Sequence, residues 1–256
     1  MEETRNYLSI SQINMFLRCP MQYQFRYIDG IKIPPAGVMI QGSAYHKAVA
    51  ADFINVRDTH NLLPLADVAD IFSTYFDEQV HQKKSVDEGE TWEFEAIDWE
   101  DRDPGEVKDE GIVLAILYHD TVAPTITPIE VENRLDATVE SVNFVLIADV
   151  VTENTIIDHK LKKRRFSEDD LKRDLQATAY TYFYQKPFEF HQALKLKTPV
   201  IDIAKTERSK MDWKFFEMLV PKVWAAIKSG IFYPSPTGWH CSQDFCGYYT
   251  LCKGGY

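Results

Sequence analysis

Long apolar runs are missing from this 256-residue chain. None approaches the ~18 to 20 uninterrupted apolar residues that a membrane-spanning helix requires. The opening residues, Met1-Glu2-Glu3-Thr4-Arg5, have neither the basic nor the apolar region of an export signal. Both absences predict a cytoplasmic protein with no membrane partner. Cysteine is sparse, at four residues, and thiols that are not exported stay free or bind metal rather than form a disulfide framework. Positive charge is in deficit as well, with 28 Lys and Arg against 39 Asp and Glu and a net charge of −11. The chain as a whole therefore lacks the basic footprint that phosphate binding leaves. What is present, 45% hydrophobic and 26% charged residues, is enough for a substantial core.

The charge is unevenly spread. Between Asp87 and Glu110 there are 12 acidic and 2 basic residues, so the rest of the chain carries a net charge of only −1. Conversely Lys160, Lys162, Lys163, Arg164 and Arg165 fall within six positions, the densest basic cluster in the sequence. Such a run is either a solvated loop or a phosphate-binding strip.

Reading along the chain, Ser11 can cap a short helix that ends at Cys19-Pro20, and a second helix runs from Met21 to Tyr27. A third begins near Gly42 and reaches about Asn55. Residues 56–125 read as helices interrupted by the acidic segment, an insertion whose Trp92, Phe94 and Trp99 argue against outright disorder. From Pro128 the period becomes two, with Ile129, Val131, Leu135, Ala137 and Val139 alternating against polar residues as in a half-buried strand. Two further apolar runs, Val142 to Val151 and Thr155 to Leu161, are separated by hairpin length. Ser167 and Asp170 suit a capping box for a helix with core face Leu171, Leu175, Thr178 and Tyr182. Another apolar run surrounds Val200. A last long helix spans about Asp212 to Gly230 with Pro221 as a kink, followed by a tail rich in aromatics and cysteine. The chain reads as one domain, made of N-terminal helices (1–55), the insertion (56–125), a catalytic core (126–205) and a C-terminal helix and tail (206–256).

The hairpin concentrates the chemistry. If Glu153 and Asn154 are the two central turn residues, Asp149 stands opposite Asp158 with Cβ atoms ~4.5 to 5.5 Å apart, and the period of two puts Lys160 on the same face. Two facing carboxylates repel unless a cation lies between them, and hard oxygen ligands suit Mg2+ or Mn2+. A turn of odd length would break this arrangement.

Asp149, eight intervening residues, then Asp158-His159-Lys160 resembles the signature of the PD-(D/E)xK nucleases, in particular their RecB-like exonuclease branch. Cys19-Pro20, Gly42-Ser-Ala-Tyr-His46 and Gln176-Ala-Thr-Ala-Tyr180 are similar to that branch's other motifs and come in the same order. The resemblance runs from about Leu8 to Cys252. It implies an α/β fold, a restriction-endonuclease-like mixed sheet flanked by helices. It further implies that Asp149, Asp158, His46 and the backbone carbonyl of His159 bind the metal. Lys160 would orient or deprotonate the attacking water, and Gln176 and Tyr180 would contact the DNA strand. Glu132 matches a strand glutamate of relatives, with Glu130 as the competing choice. The basic residues Lys162, Lys163, Arg164 and Arg165 would then hold the DNA backbone.

Cys241, Cys246 and Cys252 crowd into the tail, far in sequence from Cys19. Four thiolates can bind Zn2+, although the paired knuckles of zinc ribbons are missing. One N-terminal and three C-terminal cysteines resemble the 4Fe-4S staple of AddB-type and CRISPR-associated members of the family, which implies an iron-sulfur cluster joining the two ends of the chain. The expected activity is metal-dependent DNA hydrolysis from a free end, in recombination, repair or phage DNA processing in a bacterial or phage-infected cell, with a recombination or single-strand-binding protein as partner. A structure-specific endonuclease on the same core is the alternative enzyme. A non-cleaving DNA-binding recombination partner is the alternative from another class.

Overall fold

The computed structural model describes residues 6–81 and 97–254. Trp92, Phe94 and much of the acidic segment lie outside the described residues. The elements run α1 (Ile10–Arg18), α2 (Pro20–Tyr23), α3 (Gly37–Thr59), α4 (Leu65–His81), α5 (Pro104–Thr121), β1 (Glu130–Val139), β2 (Val142–Val151), β3 (Ile156–Lys162), α6 (Glu168–Arg173), α7 (Leu175–Tyr184), β4 (Phe188–Leu194), β5 (Val200–Thr206), α8 (Lys210–Lys228) and α9 (Tyr249–Gly254). The strands form one five-stranded sheet in the order β1-β2-β3-β4-β5. Its ladders are mixed, antiparallel for β2–β3 and β4–β5 and parallel for β3–β4. The parallel pair requires a crossover, which α6 and α7 supply. This is the expected mixed α/β architecture.

The chain falls into two compact units. The larger comprises Pro34–Asn133 and Ile147–Glu207, the smaller Met1–Ile33, Arg134–Leu146 and Arg208–Tyr256. In the larger, α3, α4 and α5 pack together around Ala44, Ala48, Phe53, Phe72 and Leu114, all fully buried, with Ile157 and Ala193 of the sheet in the same cluster. Gly111 permits the close approach of α5 to α4, because a Cβ there would lie 2.2 Å from the Phe72 ring. In the smaller, Leu8 bridges to Phe144 and Phe144 meets Phe216 of α8 edge to face. Among the described residues no helix is long and apolar enough to cross a membrane.

Several local expectations are corrected. Ser9, not Ser11, caps α1, its hydroxyl accepting from the Gln12 amide. The second helix is one α turn that continues as a π-helix over Gln24–Ile28. The third begins at Gly37, earlier than Gly42. Ile129 is exposed rather than core. The capping box at Ser167 and Asp170 is present, but Asp174 then caps a new helix by accepting from the Ala177 amide at 2.7 Å. That restarts the helical phase, so Ala177, Thr178, Ala179, Tyr180 and Thr181 are buried instead of Leu175 and Tyr182. Pro221 lies inside α8, as the sequence places it. Strand β4 has no counterpart in the sequence reading, because it is buried at all seven positions and does not alternate.

Candidate active site

The hairpin turn has even length. Val150 pairs with Ile157 and Val151 with Ile156, and the Thr152 amide donates to the Thr155 carbonyl at 2.9 Å. The Thr152 hydroxyl steadies the turn by accepting from the amides of Asn154 and Thr155. One step along, this register sets Asp149 across from Asp158. There the backbone ladder yields to a side chain, and the His159 amide donates to Asp149 Oδ2 at 2.8 Å.

Asp149 Oδ2 also lies 3.2 Å from His46 Nδ1 on α3. With Glu132 of β1 these residues form a cluster in which each offers one ligand atom and all the atoms lie within 4.8 Å of one another. An imidazole and two carboxylates at that spacing suit a divalent cation. Glu132 takes part through an unusual backbone, with φ of 48° in the left-handed region. A non-glycine residue there costs ~1 to 3 kcal/mol, strain that concentrates at functional positions. Glu130 is engaged elsewhere, accepting from Asn133 Nδ2 at 2.7 Å. Of the two candidate glutamates, the structure brings Glu132 to the cluster.

The electrostatics separate the two aspartates. Burial alone would raise the Asp149 pKa, but hydrogen bonds from His159 and His46 hold it well below the usual carboxylate range. Asp158 is pushed up to about 6, by burial first, with Lys160 opposing and the Asp149 charge adding to the rise. Desolvation opposes the charge on His46, yet hydrogen bonding to Asp149 raises its pKa. Glu132 is raised by desolvation and then by Asp149. The Asp149 charge thus raises the pKa of both Asp158 and Glu132, as like charges at close range do.

Asp158 is turned toward a different set of partners. Its carboxylate lies 2.8 Å from Lys160 Nζ and accepts from Gln176 Nε2, while Gln176 Oε1 accepts from Lys160 Nζ at 3.1 Å. Desolvation works against the lysine's charge, but Asp158 keeps it cationic with a raised pKa. Lys160 is thus fastened beside the cluster by two partners, one from its own strand and one from α7. Tyr180, one turn beyond Gln176, is buried and donates its hydroxyl to the Ile147 carbonyl. Both α7 residues expected at the DNA strand are engaged within the protein.

The other expected residues divide. His159 is 2% exposed, with burial pushing its pKa down to about 4. In the basic run, Lys163 pairs with Glu100 at 2.7 Å, Arg165 with Asp202 at 2.7 Å, and Lys162 Nζ lies over the Phe166 ring. Arg164 is exposed. In the smaller unit Cys19, Cys241, Cys246 and Cys252 line one cavity together with Gln22 and His240. All four are free thiols. Gln22 Nε2 donates to Cys246 Sγ at 3.0 Å, and Cys252 is raised by burial and then by the other three thiols.

Residues that the sequence reading did not single out stand behind the site. Tyr118, His191 and Glu189 are buried and hydrogen-bonded in a row that reaches His159. Their trace in the sequence is slight: Glu189 and His191 sit two apart between aromatics in Phe188-Glu-Phe-His-Gln, polar positions on one face of the strand.

Comparison with known proteins bears on this geometry. The sequence model described as "PD-(D/E)XK nuclease superfamily" matches residues 7–253. "Gene 69 protein" of Mycobacterium phage D29 is 33% identical over 69 residues, a match that covers 27% of this chain and 25% of the phage protein. The chain thus spans about a quarter of that relative's length. A solved structure of a protein from Eubacterium rectale, assigned as an exonuclease, aligns with TM-score 0.56 and 12% identity over 98% of this chain and 88% of that one. At that identity the likeness is one of fold.

Proposed function

Because the chain belongs to the PD-(D/E)XK nuclease superfamily and is a hydrolytic nuclease by that membership, we propose that it is a divalent-metal-dependent exonuclease that hydrolyses DNA from a free end. The observation that carries this reading is the His46, Glu132 and Asp149 cluster standing beside a lysine tethered at 2.8 Å to Asp158. Mg2+ or Mn2+ held there would lower the pKa of a water and stabilise the charge that develops on the phosphate. Lys160, kept cationic, donates to the attacking water or to a phosphate oxygen. Gln176 holds that ammonium in place and leaves it one free donor. Asp158 sets the lysine's charge and adds an outer carboxylate to the metal site, and the His159 carbonyl is a further ligand in this reading. Substrate would approach along Lys162 and Arg164, with Lys163 and Arg165 exchanging their acidic partners for phosphate, and with Gln176 and Tyr180 nearest the strand. The local match to a mycobacteriophage protein favours a phage or recombination setting, with a recombination or single-strand-binding protein as partner. Linear DNA should be degraded progressively, and closed circular single-stranded DNA at least about tenfold more slowly under the same metal and salt. Equal rates would favour the structure-specific endonuclease instead.

The two glutamates of β1 give a further expectation. Glu132→Gln should weaken Mn2+ binding by about 10- to 100-fold, the scale on which groups at a metal site act, and Glu130→Gln should change it less than about twofold. Calorimetric titration of Mn2+ into each variant checks this, and equal losses would remove Glu132 from the site.

The cysteine cavity we assign to a 4Fe-4S cluster, bound by Cys19, Cys241, Cys246 and Cys252. The soft donor set and the shared cavity support it. Protein purified without oxygen should be brown and hold about four iron atoms per chain. Cys19→Ala should lose the colour and lower the melting temperature. Zinc without iron in iron-replete, anaerobic material would overturn the cluster assignment and leave the nuclease reading intact.

A further inference from the structure

The described part of the acidic segment begins with a turn whose backbone is unfavourable. Glu100 and Asp101 both lie in the left-handed region, with φ of 52° and 58°, a conformation that residues other than glycine seldom adopt. The Arg102 amide closes the turn on the Trp99 carbonyl at 3.1 Å. Two successive residues of positive φ are what a primed turn requires, and Asn-Gly or Gly-Gly normally supplies them. A turn that had only to reverse the chain would have no use for Glu-Asp. The surroundings hold it firmly. The Gly37 amide donates to the Asp98 carbonyl at 2.7 Å, and Asp98 Oδ1 accepts from the Glu100 amide at 2.9 Å. The Trp99 ring lies so close over the start of α3 that a Cβ on Gly37 would meet it at 2.3 Å.

What this turn presents is the Glu100 carboxylate, which accepts from Lys163 Nζ at 2.7 Å. Lys163 directly follows β3, so it belongs to the basic run that leads away from Asp158 and Lys160. Both side chains stay open to solvent, the lysine 63% and the glutamate 43% exposed. Two more cations stand nearby. Arg102 pairs with Glu110 at 3.0 Å. Lys195 donates to Gln41 Oε1, and behind the burial that chiefly lowers its pKa it feels the charges of Glu110, Lys163, Arg102 and Glu100. Three cations thus gather with two carboxylates, a local excess of positive charge. The neighbouring pair of Arg165 and Asp202 is of another kind, because Asp202 Oδ2 also accepts from the buried Gln192 side chain at 2.9 Å and is part of the packing.

We propose that Glu100 is a built-in phosphate mimic: its carboxylate occupies a subsite at Lys163 for one phosphate of the DNA backbone, and substrate has to displace it. A carboxylate and a phosphate offer the lysine the same kind of anionic oxygen. An exposed ion pair is weak, whereas a polyanion releases counterions as it binds, so DNA wins the exchange at reduced affinity. Glu100 acts on binding, not on the hydrolytic step. The inference rests on the reading of the chain as a DNA nuclease whose substrate follows the basic run, and it does not involve the metal.

Binding of fluorescein-labelled linear DNA to the full chain in EDTA, where no cleavage interferes, tests the displacement, with circular dichroism to show that each variant is folded. At low salt Glu100→Gln should bind about threefold more tightly than wild type, the scale of one phosphate contact. The gain should vanish at high salt, which screens the ion pair and the phosphate contact alike. Asp101→Asn removes the same charge from the same turn, whereas the ion pair with Lys163 belongs to Glu100, so it should change the affinity by less than about 1.5-fold. Lys163→Ala should weaken binding about threefold, and in that background Glu100→Gln should gain no more than Asp101→Asn does. Equal gains from Glu100→Gln and Asp101→Asn in the wild-type background, or no gain from either, would overturn the mimic and leave DNA on the basic run. Binding that Lys163→Ala leaves unchanged would overturn the subsite together with that path for the substrate. Wild-type protein that binds no linear DNA even at low salt would overturn the DNA nuclease reading itself.

Discussion

Asp149→Asn is expected to lower DNA cleavage by about a thousandfold or more, the scale on which loss of a group that stabilises developing charge is felt. The carboxylate has three neighbours at once, the His159 amide at 2.8 Å, His46 Nδ1 at 3.2 Å and Glu132 within 4.8 Å. Asparagine retains an acceptor for the amide but removes one of the two negative charges that would face a metal in the proposed site. Some stability goes with it. The folded-state pKa of Asp149 lies below its ordinary value of 3.8, so its charge stabilises the fold at every pH above 3.8, and that contribution is lost as pH falls below it. Single-turnover cleavage in Mg2+, paired with circular dichroism to show a retained fold, checks the expectation. A loss of less than about tenfold would take Asp149 out of the metal site.

The second large effect has the opposite sign. Asp158→Asn should stabilise the metal-free protein at pH 7 while it abolishes most of the cleavage. Asp158 is 3% exposed, and its pKa rises from 3.8 to about 6 in the folded state. A carboxyl with a raised folded pKa destabilises once it ionises. The cost is absent below about pH 4, grows as pH rises to about 6, and is complete above that. The direction follows from burial, which penalises the carboxylate more than Lys160 compensates it. Asparagine keeps an oxygen for Gln176 and carries no charge to bury, while the loss of the carboxylate opposite Lys160 Nζ offsets part of the gain. Melting curves in EDTA at pH 4 and pH 7 should show the variant level with wild type at the lower pH and above it at the higher. No difference between the two pH values would mean that Asp158 is not held against its charge.

The parts of the site that follow from short-range rules were legible in the sequence. An even-length turn at Glu153 and Asn154 is enough to set Asp149 against Asp158, and the period of two brings Lys160 to the same face. His46 and the four cysteines needed the family resemblance, because a single helical histidine or a distant thiol carries no geometry of its own. Glu132 could not be separated from Glu130, since a glutamate with positive φ has no signature in the sequence. The α7 spacing put Gln176 and Tyr180 on one face, but their partners, Asp158, Lys160 and the Ile147 carbonyl, are set by how the helix packs on the sheet. β4 was hidden for a related reason. All seven of its positions are buried, and the polar Glu189, His191 and Gln192 are satisfied there by tertiary hydrogen bonds invisible to any local reading.

The most direct measurement is digestion of end-labelled linear DNA by the anaerobically purified protein, with Mg2+, with Mn2+ and with excess EDTA, beside Asp149→Asn and Lys160→Ala. The account predicts short labelled products with either metal, none in EDTA, and close to none from either variant. DNA that is bound but left intact in both metals, or cleaved equally well in EDTA, would contradict it.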